Sequence, residues 1–190
     1  MEKLTQIDVS NKVLKNRPKI SVYIAISIDG YIARSDGNLD WLDRVGGFDE
    51  DYGFQTLLDS IDAVILGRKT YEAAATVPDW PYKGKRIVIL SNTLKTVREG
   101  AEIFRGDITQ LLSQLNSDGI KHIWIDGGLT ISKFLNLQMV DSMTLSVIPV
   151  ILGAGIPLYH AIDKELSCSL VSSQSYPSGL VQLKYEILQE

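Results

Sequence analysis

Three stretches of this chain place glycine, hydroxyl or cationic side chains directly after an apolar run, where a strand would end and a ligand could be held. The strongest is Ile123-Trp124-Ile125-Asp126-Gly127-Gly128 followed by Leu129-Thr130-Ile131-Ser132-Lys133-Phe134-Leu135, which reads as a strand, two glycines and a helix. Free amides at a helix start, with the positive end of its dipole, favour an anion, and glycine lets a ligand approach the backbone closely. The spacing departs from Gly-x-Gly-x-x-Gly, so a Rossmann assignment is not supported, and a tight turn alone would also use the pair.

The second stretch, Val64-Ile65-Leu66-Gly67-Arg68-Lys69-Thr70-Tyr71-Glu72, sets two cations and a hydroxyl beyond a buried strand. Arginine there can bond phosphate bidentately and Thr70 can donate from the first helical turn; a solvated helix start capped by Thr70 is the plainer alternative. In the third, Arg86-Ile87-Val88-Ile89-Leu90 ends in Ser91-Asn92-Thr93, which could equally be ordinary turn formers. Three polar strand ends in one sheet define an edge, and open α/β sheets bind ligands outside the carboxyl ends of their strands.

Asp51 lies three and seven residues before Phe54 and Leu58, on the inward face of a helix, where a partly desolvated carboxyl could hydrogen-bond a substrate ring and help deliver a proton. Asp49, Glu50 and Asp51 also stand where acidic residues favour a helix N-terminus in any case. His122 and His160, the only histidines, have no partners at metal-ligand spacing, so no metal is expected. No Gly-x-Ser-x-Gly elbow supports a serine nucleophile, and Cys168 reads as a small buried residue.

The elements that must position these residues are legible from periodicity. Short, nearly continuous apolar runs at 22–26, 63–66, 86–90, 122–125 and 142–148 predict strands buried on both faces. Phe54, Leu57, Leu58 and Ile61, and likewise Ile108, Leu111, Leu112 and Leu115, recur at helical spacing. Asp107 and Gly119 are the expected N-cap and left-handed closing residue of the second of these helices. Strands alternating with helices predict a largely parallel sheet. Residues 167–176 and 180–188, joined by Pro177-Ser178-Gly179, predict an antiparallel hairpin. Pro149 in the apolar run 147–152 predicts an edge strand or one at a subunit boundary.

With 190 residues, 45% of them hydrophobic, the chain has material for one sizeable core. Its net charge of -4 is spread evenly, without the basic stripe that nucleic acid requires, which favours a small-molecule partner. A single cysteine excludes an internal disulfide and fits a reducing compartment. The polar segment 1–18 has the character of a tail, neither signal peptide nor membrane span, leaving 19–190 as one domain.

Taken in order, Ser27-Ile28-Asp29-Gly30-Tyr31-Ile32-Ala33, Asp40-Trp41-Leu42, Gly67-Arg68-Lys69-Thr70-Tyr71-Glu72, Ile89-Leu90-Ser91, Asp126-Gly127-Gly128 and Pro149-Val150-Ile151-Leu152-Gly153-Ala154-Gly155-Ile156-Pro157-Leu158 resemble the RibD C-terminal reductase-like family, over roughly residues 19 to 188. The resemblance implies the dihydrofolate reductase-like three-layer α/β fold: a mostly parallel central sheet, helices on both faces and a C-terminal antiparallel hairpin. It also implies NADPH as reductant and commonly a homodimer. Matched position by position, it sets Gly67, Arg68 and Thr70 beside the adenosine-side phosphates, Ser91 near the adenine ribose, and Gly127, Gly128 and Leu129 around the pyrophosphate. Ala25 and Ile32 would flank the nicotinamide, and Asp29 and Trp41 match the segment that folds over the substrate, although a buried Trp41 would serve as core. Asp51 has the spacing from Gly67 of the substrate-helix acid of dihydrofolate reductases.

The expected activity is a cytoplasmic, NADPH-dependent hydride transfer to a C=N or C=O group of a small heterocycle: a pterin, a pyrimidine or a riboflavin-pathway-like compound. The chain has neither room for the zinc deaminase domain usual in the riboflavin-pathway enzyme nor its Cys/His motif. The alternatives are dihydrofolate reductase proper, for which the Gly-rich segment at 152–155 is a poorer match, and a nucleotide-binding dimer without catalysis.

Overall fold

The computed structural model describes residues 17–46, 50–76, 80 and 82–188; most of the expected N-terminal tail, and Asp49, lie outside them. In chain order the elements are β1 (Lys19–Ser27), β2 (Tyr31–Ala33), a 3-10 turn (Asp40–Arg44), α1 (Phe54–Ser60), β3 (Ala63–Gly67), α2 (Arg68–Ala74), β4 (Arg86–Leu90), β5 (Ala101–Phe104), α3 (Ile108–Ser117), β6 (His122–Asp126), α4 (Gly128–Asn136), β7 (Ser142–Ile148), β8 (Ile156–Pro157), β9 (Cys168–Ser175) and β10 (Val181–Ile187).

Eight strands form one sheet in the order β5-β4-β3-β6-β1-β7-β10-β9. The pairs from β5 through β7 are parallel, and β10 runs antiparallel to both β7 and β9. This is the expected sheet, with the expected hairpin at one edge. The strand runs are apolar on both sides because helices lie on both sides. Ile20, Val22, Ile65, Val88, Ile123 and Ile125 pack against α3 and α4. Val64, Leu66, Ile87, Ile89 and Trp124 pack against α1 and α2. The strand period of two sorts each run between these layers.

Helix α3 shows how local chemistry sets the boundaries. The Asp107 carboxylate accepts from the Thr109 amide at 2.8 Å, the N-cap arrangement. At the other end Gly119 takes φ 87°, its amide bonds Asn116 O, and the Ile120 amide bonds Leu115 O, which closes the helix as a Schellman motif. The hairpin turns at Tyr176–Leu180 with Gly179 at φ 83°.

Sequence periodicity did not reveal β5, a short strand carrying Glu102 in its middle, or the two-stranded sheet of β2 and β8. Pro149 lies just past β7, which is an interior strand between β1 and β10, so the edge-strand expectation is corrected. Proline is tolerated there because the ladder has already ended. Two-sided cover also stops short of the hairpin: every residue of β9 is exposed, Cys168 among them.

Candidate active site at the strand carboxyl edge

Neighbouring parallel strands β3 and β6 send their helices to opposite faces. Tyr71 of α2 packs with Val64, Leu66 and Trp124, whereas Ile131, Phe134 and Leu135 of α4 pack with Ile20, Ile123 and Ile125. The carboxyl ends of this pair are therefore the topological switch point, where an open α/β sheet forms its ligand crevice. Gly67, Arg68 and Thr70 come from one junction and Gly127, Gly128 and Leu129 from the other, so the fold brings these six expected residues together.

The two junctions interlock. A Cβ on Gly67 would lie 2.8 Å from Thr130 Oγ1, and one on Gly127 would lie 2.4 Å from Thr70 Oγ1. Gly127 also has φ 98°, which disfavours any side chain. Gly128 is pressed against the carbonyls of Pro157 and Leu158, where a Cβ would come within 2.6 Å. These glycines are thus required by contact between protein segments, a reason that the strand-glycine-helix pattern alone did not disclose. The start of α4 has no side-chain cap, and the first amides of a helix have no partner within it. Arg68 holds Glu72 at 2.9 and 3.1 Å, a surface pair of small worth. Ser91 directly follows β4 and accepts from the Thr93 and Leu94 amides at 3.2 and 3.0 Å, a turn cap next to the β3 terminus.

Asp126 is the residue whose role the periodicity did not single out. It ends β6 two positions after Trp124, so it faces the α1 and α2 side. An aromatic chain lines that side: Trp124 meets Tyr82 at 5.5 Å and Phe54 at 5.8 Å, and Trp80 meets Tyr82 at 5.1 Å. Among the described residues Asp126 has no cationic partner. Among those residues it accepts from the Gly127 amide at 2.7 Å. Burial pushes its carboxyl up to about 6, against that single opposing hydrogen bond. Burial also raises the Tyr82 phenol, and the nearby Asp126 charge raises it further. Strand parity counted from Trp124 would have put a carboxyl on a buried face, which is the signal available in the sequence.

Asp51 lies at the exposed start of α1 and accepts from the Gly53 and Gln55 amides at 2.8 and 3.0 Å. Those bonds hold its carboxyl below the usual range, so it is ionised at neutral pH. The loop that carries it is tied to the sheet through Tyr52, whose carbonyl accepts from the Tyr23 hydroxyl and from Gln182.

Asp29 clasps two amides of the Gly-rich segment, Leu152 at 3.1 Å and Gly153 at 2.7 Å. The Ser27 hydroxyl first and these amides next lower its carboxyl. Gly155 allows that segment to lie on β2, since a Cβ there would meet Ala33 O at 2.3 Å. Trp41 is buried in a cluster with Ile148 and Leu180, and Ala25 packs against the same cluster. Ile32 packs on the α3 and α4 core instead, so Ala25 and Ile32 approach the edge from opposite faces. Ile28, Leu129 and Ile151, the most exposed aliphatic side chains among the described residues at 61%, 66% and 70%, follow the central strands β1, β6 and β7 and give this edge an apolar rim.

His122 sits at the opposite, amino end of the sheet, bonded to Ser21 and to the Ser60 carbonyl, and burial lowers its pKa. Among the described residues no group of three His, Cys, Asp or Glu side chains could hold a metal ion, and no helix is long and apolar enough to cross a membrane.

The uncharacterized protein YwjB of Bacillus subtilis is 34% identical over 177 residues, which span 88% of this chain and 97% of that one. The crystal structure of a putative riboflavin biosynthesis protein from Shewanella sp. PV-4 superposes with a TM-score of 0.85 at 34% identity, covering 90% of this chain and 99% of that one. Dihydrofolate reductase from Enterococcus faecalis, solved with NADP(H), shares the fold at 13% identity, with a TM-score of 0.64 over 90% of this chain and 97% of that one. The family profile "RibD C-terminal domain" matches residues 18–182, and the chain belongs to that family.

Proposed function

We propose that this protein is an NADPH-dependent reductase that delivers a hydride to a C=N or C=O group of a small heterocycle of the pterin, pyrimidine or riboflavin-pathway kind. The observation that carries the reading is Asp126, a partly buried carboxyl without a counter-cation among the described residues, at the strand edge between two glycine junctions suited to phosphate. The dihydronicotinamide, when bound, supplies the hydride, and the protein supplies orientation and electrostatics.

The residues present fit an anionic dinucleotide. The uncapped first turn of α4, with Gly127, Gly128 and Leu129, offers amides and a positive dipole end to the pyrophosphate. Arg68 exchanges Glu72 for the adenosine-side phosphate at little cost, with Thr70 beside it and Ser91 near the ribose. Ala25 and Ile32 flank the ring, and Trp41 and Asp29 shape the segment over the substrate.

Reduction of C=N breaks the π bond, places the hydride on carbon and leaves an electron pair on nitrogen that must take a proton. Asp126 keeps that proton up to about pH 6, well above an ordinary carboxyl, because burial disfavours its anion. Ionised Asp51 is poorly suited to the task, and in this reading it holds the Gly53 and Gln55 amides at the exposed start of α1.

Titration of tryptophan fluorescence with NADPH and, separately, NADH tests the cofactor assignment. NADPH should bind more tightly, and Arg68→Ala should weaken it roughly tenfold or more, the worth of a charge-assisted phosphate contact. Failure to bind either dinucleotide would overturn the reading.

A further inference from the structure

The segment that follows β8 runs along α4 and is fixed to it by side chains of that helix. The His160 amide donates to Ser132 Oγ at 2.9 Å, the Asn136 side chain donates to the Ala161 carbonyl at 3.0 Å, and the Asp163 amide donates to Asn136 Oδ1 at 3.0 Å. Leu158 is fully buried in the core shared with α4. Gly128 and Ser132 stand at i and i+4, on one face of the helix. The backbone of His160 is thus set one turn below the amino end of α4, and its half-buried ring reaches back toward that end: a Cβ on Gly128 would lie 3.1 Å from His160 Nε2. Helical Cβ atoms tilt toward the amino end, so Nε2 stands beside the opening toward which the first-turn amides point.

An imidazole in that place could accept from one of those amides, yet no side chain caps α4, so the ring nitrogen is not used by the helix. The other atoms nearest the Gly128 Cβ position are the carbonyl oxygens of Pro157 and Leu158, at 2.6 and 3.0 Å, whose dipoles oppose an anion. A donor at Nε2 offsets them. A group with several acceptor oxygens is what satisfies helix-start amides and an imidazole N–H together.

We propose that His160 is a further binding residue for the pyrophosphate of the dinucleotide, donating from Nε2 to one oxygen while the first turn of α4 holds others. The assignment rests on the reductase reading, which sets the pyrophosphate at that turn, and adds to it a side chain from a separate segment that no strand-glycine-helix motif contains.

The chain has two histidines, and His122 lies at the opposite end of the sheet, which makes it an internal control. In nitrogen NMR of the imidazole rings of the full chain, with the His160 signals identified by their loss in His160→Gln, NADPH should shift those signals and give Nε2 the signature of a protonated, hydrogen-bonded nitrogen. The His122 signals should stay in place. By tryptophan fluorescence, His160→Phe, which keeps a ring without a donor, should bind NADPH roughly tenfold more weakly or worse, and His160→Gln, whose amide can donate from the same place, should stay within about threefold of the wild type. Adenosine 2′-phosphate, which lacks the pyrophosphate, should bind both variants as it binds the wild type. NADPH binding that leaves the His160 signals unmoved, equal losses in the Phe and Gln variants, or an equal loss for the two ligands would overturn the assignment and leave the reductase reading standing. A wild type that binds no NADPH would overturn both. If His160→Phe does not fold, the ring signals of the wild type decide.

Discussion

Asp126 combines two consequences of one burial. Its folded pKa of about 6 lies above the ordinary carboxylate value, so the folded state binds the proton more tightly than the unfolded chain does. Stability from this group is complete below the ordinary value and is lost as pH rises to about 6, leaving a cost of about 3 kcal/mol at neutral pH. Asp126→Asn should therefore raise the urea midpoint at pH 8 while lowering the reduction rate roughly 100-fold. In the wild type, kcat/KM should fall as pH rises through about 6, the alkaline limb set by a proton donor, and that limb should vanish in the Asn variant. A wild-type profile flat across that range would remove Asp126 from proton delivery. Asp51 follows the opposite logic: its amide bonds keep it ionised, so it adds no such limb.

At the scale of elements, the site depends on two strand-to-helix junctions that fit each other. Gly67 has an ordinary extended backbone, so the barrier to a side chain there is the Thr130 hydroxyl at 2.8 Å from the Cβ position. Gly67→Ala should destabilise by about 1–3 kcal/mol through overpacking. Thr130→Ala in the same chain should recover most of that loss, and a double-mutant cycle in denaturant measures the coupling. Purely additive effects would mean that the junctions do not bear on each other. Gly127 should not be rescued in this way, because its positive φ opposes a side chain even when Thr70 is shortened. The Gly-x-x-Thr spacing occurs at both junctions in the sequence, but nothing local indicates that each threonine packs on the other junction's glycine.

For the whole molecule, the amino end of the sheet holds distant segments together while the carboxyl end is left for chemistry. Arg17, 6% exposed, forms a bidentate pair with Asp141, which also accepts from the Ile20 amide. The Asp141 carbonyl receives the Ile187 amide, so one residue links the entry to β1, the entry to β7 and the end of β10. Arg17→Ala should lower unfolding free energy by about 2–4 kcal/mol, since it strips a partly buried carboxylate of its partner, and a urea melt reads this directly. Alternation of apolar runs, helical spacing and caps was enough to read the parallel sheet, the layers and the hairpin from the sequence, because strand period, helix period and capping act over a few residues. The same local signals marked the glycine junctions and their cations. The tertiary structure alone decided that β3 and β6 are neighbours with helices on opposite faces, that Asp126 lies partly buried without a cation among the described residues, that Asp51 binds amides at an exposed helix start, and that β9 is exposed along its length. Those facts depend on strand order and on what packs over each face, and both are set by contacts between residues far apart in the chain.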